Sequence, residues 1–293
     1  MKYQGLYTAI VTPFKDGKVD YDAYKALIEA QIAGGVDGIV PMGTTGESPT
    51  VSTEEHLEII RKCVEFVAGR CQVIAGTGAN CTAEAIELTQ AAAAMGVDGT
   101  LQVCPYYNKP NQEGVYQHFK AIAEATDLPI MLYSIPGRSG IEIAVETVAR
   151  LAADCPTIVA IKEAGGSVER VNQLVQALPA DFAVLSGDDG LTVPFISCGA
   201  VGLVSVTSNV APAEMKALVD AAMSGDGKKA LELQKKYYPL MKGLMSLDVN
   251  PVPAKAALAL RGEIGWEIRL PLVPLAESKH AALADLLKSF NLL

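Results

Sequence analysis

Lys162 closes the apolar run Ile158-Val159-Ala160-Ile161 and brings a nucleophilic amine to the end of that segment. A free lysine with a pKa near ~10.4 is neutral in only about one molecule in a few thousand at pH 7. Attack on a carbonyl carbon, with imine formation, therefore asks for desolvation or a neighbouring cation, and an apolar strand end supplies the first. Strand alternation sets Lys162 on the same side as Ile158 and Ala160, with space beneath it at the small Ala160. The position equally suits a strand-end lysine paired with Glu163. One unit earlier, Tyr133 ends Pro129-Ile130-Met131-Leu132, where its phenol is either a proton shuttle beside Lys162 or a half-buried aromatic. Arg138 follows in the same loop, as a carboxylate clamp or a solvated cation.

A second loop, Gly43-Thr44-Thr45-Gly46-Glu47-Ser48, combines two glycines with two threonine hydroxyls. Such a loop can hold a small anion on backbone N–H groups, or be a plain turn; it lacks the lysine of a P-loop. Pro105-Tyr106-Tyr107-Asn108 offers a functional phenol or an aromatic lid, and Ser186-Gly187-Asp188-Asp189-Gly190 a metal site or an ordinary capped turn. Carbon–carbon chemistry beside a carbonyl needs an electron sink, commonly a metal ion or a lysine iminium. His56, His118 and His280 are far apart and lack ligand spacing, so the metal route is weak and no cofactor is expected.

These residues need a frame that brings successive strand ends together. Apolar runs at Leu6-Val11, Gly38-Pro41, Gln72-Ala75, Gly99-Val103, Ile130-Tyr133, Ile158-Ile161, Ala183-Ser186 and Val201-Val204 read as eight strands. Between them Tyr21-Ala33, Thr53-Val67, Thr82-Met95, Glu113-Ala125, Val145-Ala153 and Val168-Ala177 carry helical spacing, with Ser52, Thr82 and Ser167 placed as N-caps. Glycines end helices ahead of strands in Gly35-Val36-Asp37-Gly38, Gly96-Val97-Asp98-Gly99 and Gly199-Ala200-Val201-Gly202. Eight such units predict an α/β chain folded as a (β/α)8 TIM barrel, whose chemistry belongs on the loops after the strands. Past residue 210 the strands stop, and Ala213-Met223, Lys228-Met245, Val252-Leu260 and Ser278-Leu287 read as helices. The expected organisation is a catalytic barrel over 1–224 and a helical C-terminal region over 225–293. The competing fold is an open doubly wound sheet with a nucleotide at Gly76-Thr77-Gly78; its fingerprint fails because Cys81 stands at the third glycine position.

Half of the 293 residues are hydrophobic, enough for a large core, and the net charge of -9 with scattered cations excludes a nucleic-acid or anionic-membrane footprint. Six cysteines without a CxxC pair suit a reducing compartment. The N-terminus has no pattern of a secretory leader, and no apolar run is long enough to span a bilayer, so a cytoplasmic enzyme is expected.

The combination of Gly43-Thr44-Thr45-Gly46-Glu47-Ser48, Tyr106-Tyr107-Asn108, Tyr133-Ser134-Ile135-Pro136-Gly137-Arg138 and Ile161-Lys162-Glu163-Ala164 resembles the dihydrodipicolinate synthase family, over essentially the whole chain. This family lies within the pyruvate-dependent aldolases that include N-acetylneuraminate lyase; Tyr106-Tyr107-Asn108 and Arg138 favour the synthase. The resemblance implies that Lys162 forms a Schiff base with pyruvate, whose enamine condenses with L-aspartate-4-semialdehyde to give 4-hydroxy-tetrahydrodipicolinate on the diaminopimelate and lysine route. It implies a proton relay of Tyr133, Thr44 and Tyr107, the last reaching in from a neighbouring subunit. It further assigns pyruvate contacts to Thr45 and the Val204 backbone, and the second substrate's carboxylate to Arg138. A homo-oligomer, normally a tetramer, follows from the same source. Ser48, His56, Asn80, Glu84 and Tyr106 match a site for inhibitory L-lysine, with Pro49 and Thr53 departing from its usual lining. Ser134 stands where many members have Asn.

Overall fold

The computed structural model describes residues 3–293. Eight parallel strands close into a barrel: β1 (Gly5–Ala9), β2 (Gly38–Val40), β3 (Gln72–Gly76), β4 (Gly99–Val103), β5 (Ile130–Ser134), β6 (Ile158–Glu163), β7 (Ala183–Ser186) and β8 (Gly202–Ser205). Each strand pairs with its sequence neighbour, and β8 returns to β1 through Gly5↔Gly202 to Thr8↔Ser205. The open doubly wound sheet is therefore excluded. Gly76 and Gly78 serve packing: a Cβ would lie 2.3 Å from the Met42 carbonyl oxygen at the first and 2.3 Å from the Val103 nitrogen at the second.

The barrel interior is filled by alternate residues, among them Tyr3, Tyr7, Ile74, Leu101, Met131, Ala160, Leu185 and Val204. Tyr3 and Tyr7 occupy the end where the strands begin; the Tyr3 hydroxyl donates to the Asp98 and Pro129 carbonyls, and burial raises both phenol pKa values. Opposite faces of the strands bury against the surrounding helices, as in Leu6 and Ile39 on one side and Ile130, Ile158 and Ile161 on another.

All eight predicted strands are present to within two residues at either end, and so are the six intervening helices. Ser52 caps the helix Thr53–Val67 with a reciprocal Glu55 bond, and Ser167 caps Val168–Ala177. Thr82 does not cap: Cys81 holds that position without a side-chain bond, and the Thr82 hydroxyl instead hydrogen-bonds His118 Nδ1 at 2.9 Å. Ile158 does not share a face with Lys162. A register shift beside Ile130/Met131 breaks the alternation, so Ile158 packs outside while Val159 and Ala160 meet the interior. A hairpin of Phe14–Lys15 and Lys18–Val19 and the short helices Pro136–Ser139 and Thr192–Ser197 were not legible as periodic segments.

The tail forms the helices Pro212–Met223, Gly227–Ser246, Val252–Leu260 and His280–Lys288. Its Leu240, Leu258 and Leu283 join the same apolar cluster as Leu6, Ile10 and Ile39, so the core runs unbroken from the barrel into the tail. Among the described residues no helix is long and apolar enough to cross a membrane.

Candidate active site

Pairing of β5 with β6 sets Tyr133 directly beside Lys162. The Lys162 Nζ lies 4.1 Å from the centre of the Tyr133 ring, and the lysine is only 5% exposed. Ala160 sits inward one step below, as the alternation predicts. Close approach of Gly187 completes the enclosure: a Cβ there would be 3.0 Å from Lys162 Cε and 2.7 Å from the Ala164 methyl. Pairing with Glu163 is not what holds the lysine. Glu163 points away and takes the Arg170 Nε at 2.8 Å and the Gly165 N–H at 2.7 Å, while Arg170 also donates to the Ile143 carbonyl. Burial nonetheless raises the Glu163 pKa, against the lowering effect of Arg170.

Tyr133 also faces a cavity of about 230 Å³, which it lines with Thr44, Arg138, Gly43, Leu101 and Val103; the buried Lys162, Thr45 and Val204 are not part of that lining. Thr45 turns inward and is buried, its Oγ1 accepting from Asn250 Nδ2 at 3.0 Å. Arg138 projects from the turn Pro136–Ser139, donates to the Asn250 carbonyl at 3.1 Å, and is exposed along the cavity wall. Val204 is fully buried on β8 among the interior residues.

The loop carrying Thr44 and Thr45 is held from beneath by Glu47, a residue whose role the sequence did not disclose. Glu47 adopts a left-handed conformation (φ 62°) and is buried. Its carboxylate accepts from Lys255 Nζ at 2.5 Å and from the Arg269 N–H at 3.0 Å. Desolvation lowers the Lys255 pKa, and Glu47 acts in the opposite direction. A single lysine in the otherwise apolar Val252-Pro253-Ala254-Lys255-Ala256-Ala257 was the available signal. Asp189 is likewise a clamp rather than a metal ligand: it accepts from the Ser205 hydroxyl and from the N–H groups of Val206 (3.1 Å) and Thr207 (3.3 Å), fixing the turn after Val204.

Tyr107 is not in this cavity. It is 87% exposed with φ 71°, on a loop pinned by Asn80 Nδ2 to the Tyr106 carbonyl (3.1 Å) and by Asn108 Nδ2 to the Asn80 carbonyl (2.9 Å). Of the other residues matched to a lysine site, Ser48 and Tyr106 line the outer wall of the cavity. His56 is buried with Nε2 2.8 Å from the Gly76 carbonyl, and its pKa is lowered by desolvation. Glu84 is exposed and close enough to Tyr106 to raise the phenol pKa, behind the larger effect of burial.

Residues 2–290 match the dihydrodipicolinate synthetase family. The chain belongs to that family. A relative from Albidiferax ferrireducens, named 4-hydroxy-tetrahydrodipicolinate synthase, is 53% identical over 290 residues, which is 99% of this chain and 97% of the relative. The solved structure of the synthase from Methylacidiphilum fumariolicum SolV superposes with a TM-score of 0.97 at 53% identity, covering 99% of this chain and 96% of that one. A crystal structure of the family enzyme from Cyanidioschyzon merolae with lysine bound gives a TM-score of 0.96 at 44% identity, covering 100% of this chain and 99% of that one.

Proposed function

We propose that Lys162 is the Schiff-base residue of a metal-independent lyase. The enzyme condenses pyruvate with L-aspartate-4-semialdehyde to form 4-hydroxy-tetrahydrodipicolinate, in the biosynthesis of diaminopimelate and lysine. The observation that carries the mechanism is the buried amine of Lys162, held 4.1 Å from the centre of the Tyr133 ring, where Tyr133 also lines a cavity with Thr44 and Arg138. The amine attacks C2 of pyruvate, and loss of water gives the iminium. Loss of a C3 proton gives the enamine, which adds to the aldehyde carbon. The amino group of the second substrate then attacks C2, closes the ring and expels Lys162, so one water is released overall. Tyr133 and Thr44 move the protons, in concert with Tyr107 of a neighbouring subunit. Thr45 and the Val204 backbone receive the pyruvate carboxylate, and Arg138 takes the carboxylate of the aldehyde.

The outward display of Tyr107 supports a homo-oligomer, with a tetramer as the proposed state. L-lysine is proposed as an inhibitor at Ser48, His56, Asn80, Glu84 and Tyr106, with Glu84 facing its ammonium. A cytoplasmic location is supported by six free cysteines, the condition that a reducing compartment maintains. The chain divides by role, 1–224 supplying the chemistry and 225–293 bracing it, although both share one core.

The deciding experiment couples turnover of both substrates to NADPH oxidation by dihydrodipicolinate reductase. Activity should vanish in Lys162→Ala, and borohydride with pyruvate should label Lys162 in the unaltered enzyme. Labelling elsewhere, or full activity in the variant, overturns the assignment.

A further inference from the structure

Thr45 and Arg138 follow β2 and β5, which stand three places apart around the barrel, yet one tail residue touches both. Asn250 donates through Nδ2 to Thr45 Oγ1 at 3.0 Å and accepts through its main-chain carbonyl from Arg138 Nη2 at 3.1 Å. It is 7% exposed, and its side-chain oxygen meets no donor among the described residues. A buried amide with one orphaned atom is a poor space filler, because the unpaired oxygen costs stability that an apolar side chain of like size would not. What distinguishes Asn from such a residue here is the donor it offers to Thr45.

We infer that Asn250 is a positioning residue that sets the direction of the Thr45 hydroxyl proton. A threonine hydroxyl has one proton and can either donate or accept towards a given neighbour. A carboxylate only accepts. With the amide N–H committed to Thr45 Oγ1, the hydroxyl proton is turned away from Asn250 and is free to donate to an anion. The inference rests on the proposed contact between Thr45 and the pyruvate carboxylate, and it adds the residue that keeps that contact in its donating state. Because Arg138 is held by the main chain of Asn250, side-chain substitution separates the two roles.

The test compares Asn250→Ala and Asn250→Asp in the full-length enzyme, by steady-state kinetics in both substrates. Asn250→Ala should raise the KM for pyruvate about tenfold, the scale of one hydrogen bond, with kcat and the KM for the aldehyde within about twofold. Asn250→Asp should be worse by a further ~10-fold or more, since its carboxylate draws the Thr45 proton to itself and repels the substrate anion. That extra deficit should shrink as pH falls, because a protonated carboxyl can donate as the amide does. In a Thr45→Val background, Asn250→Ala should change the pyruvate KM no further, so the inference stays testable if the Asp variant fails to fold. Equal losses in kcat with unchanged KM, an Asp variant no worse than Ala, or independent effects of Thr45 and Asn250 would each overturn it. Failure of the unaltered enzyme to trap pyruvate on Lys162 would instead overturn the imine reading beneath it.

Discussion

Replacing Lys255 by Met should destabilise the protein and loosen the loop that carries Thr44 and Thr45. The substitution keeps most of the side-chain volume but leaves the buried Glu47 carboxylate, among the described residues, with only the Arg269 N–H at 3.0 Å. It also removes a cation whose Nζ lies 4.4 Å from the centre of the Phe14 ring. Removing one member of a buried pair costs ~3–5 kcal/mol, because the remaining charge stays desolvated; the surviving backbone bond places this case near ~3. With an unfolding entropy of about 2.1 cal/mol/K per residue, that loss lowers the melting temperature of a chain this size by about 5 °C. Thermal melts followed by far-ultraviolet circular dichroism read the shift, and the double variant Glu47→Gln/Lys255→Met should recover most of it. Kinetically, the single variant should raise the pyruvate KM while borohydride trapping at saturating pyruvate still labels Lys162. A melting temperature within 1 °C of the unaltered protein, or a double variant as unstable as the single, would refute the claim that Glu47 is a buried charge dependent on Lys255.

Three further outcomes follow from the geometry. Gly187→Ala should slow imine trapping by ~10-fold, since the added methyl would lie 2.7 Å from the Ala164 methyl and 3.0 Å from Lys162 Cε and must displace both by a fraction of the ~1 Å that costs ~10²-fold; trapping at the normal rate would show that the lysine has room to spare. Arg138→Ala should raise the KM for the aldehyde ~100-fold while pyruvate trapping is unaffected, and an unchanged condensation rate would remove Arg138 from substrate binding. Burial pushes the His118 imidazole down to about 4 from an ordinary 6.5. Above pH 6.5 the group is neutral in both states and contributes no pH dependence. Below it the unfolded chain binds a proton that the folded chain refuses, so stability falls from pH 6.5 to about 4, by up to ~3 kcal/mol. Melts of His118→Leu should lack that part of the acid slope; an identical slope would assign it to other groups.

The barrel was legible because its order is written locally. Each unit carries an apolar run, a helical stripe and often a glycine stop, and the three agree where Gly35, Gly96 and Gly199, all at positive φ, lead into the strands that begin at Gly38, Gly99 and Gly202. Lys162, Tyr133 and Arg138 were legible as candidates because reactive side chains at strand ends are not explained by packing. Where the reading failed, a long-range contact overrode a local rule. Thr82 looks like a cap until His118 claims its hydroxyl, and Ile158 looks inward until the register shift turns it out. The hairpin from Phe14 to Val19 has strands of two residues, too short for any period to show. Asn250 gives no signal at all, since an Asn before Pro251 reads as an ordinary turn former and its partner Thr45 lies 205 residues away.

That separation bears on how the enzyme comes to life during synthesis. Thr45 and Glu47 leave the ribosome 205 and 208 residues ahead of Asn250 and Lys255, the residues that hold them. All eight strands and Lys162 are made while the anchors of the substrate loop do not yet exist. If Thr45 holds pyruvate as proposed, that contact is braced only once the segment after the last strand has been made, and a chain interrupted before Asn250 has Lys162 in place without the residues that hold the Thr45 loop.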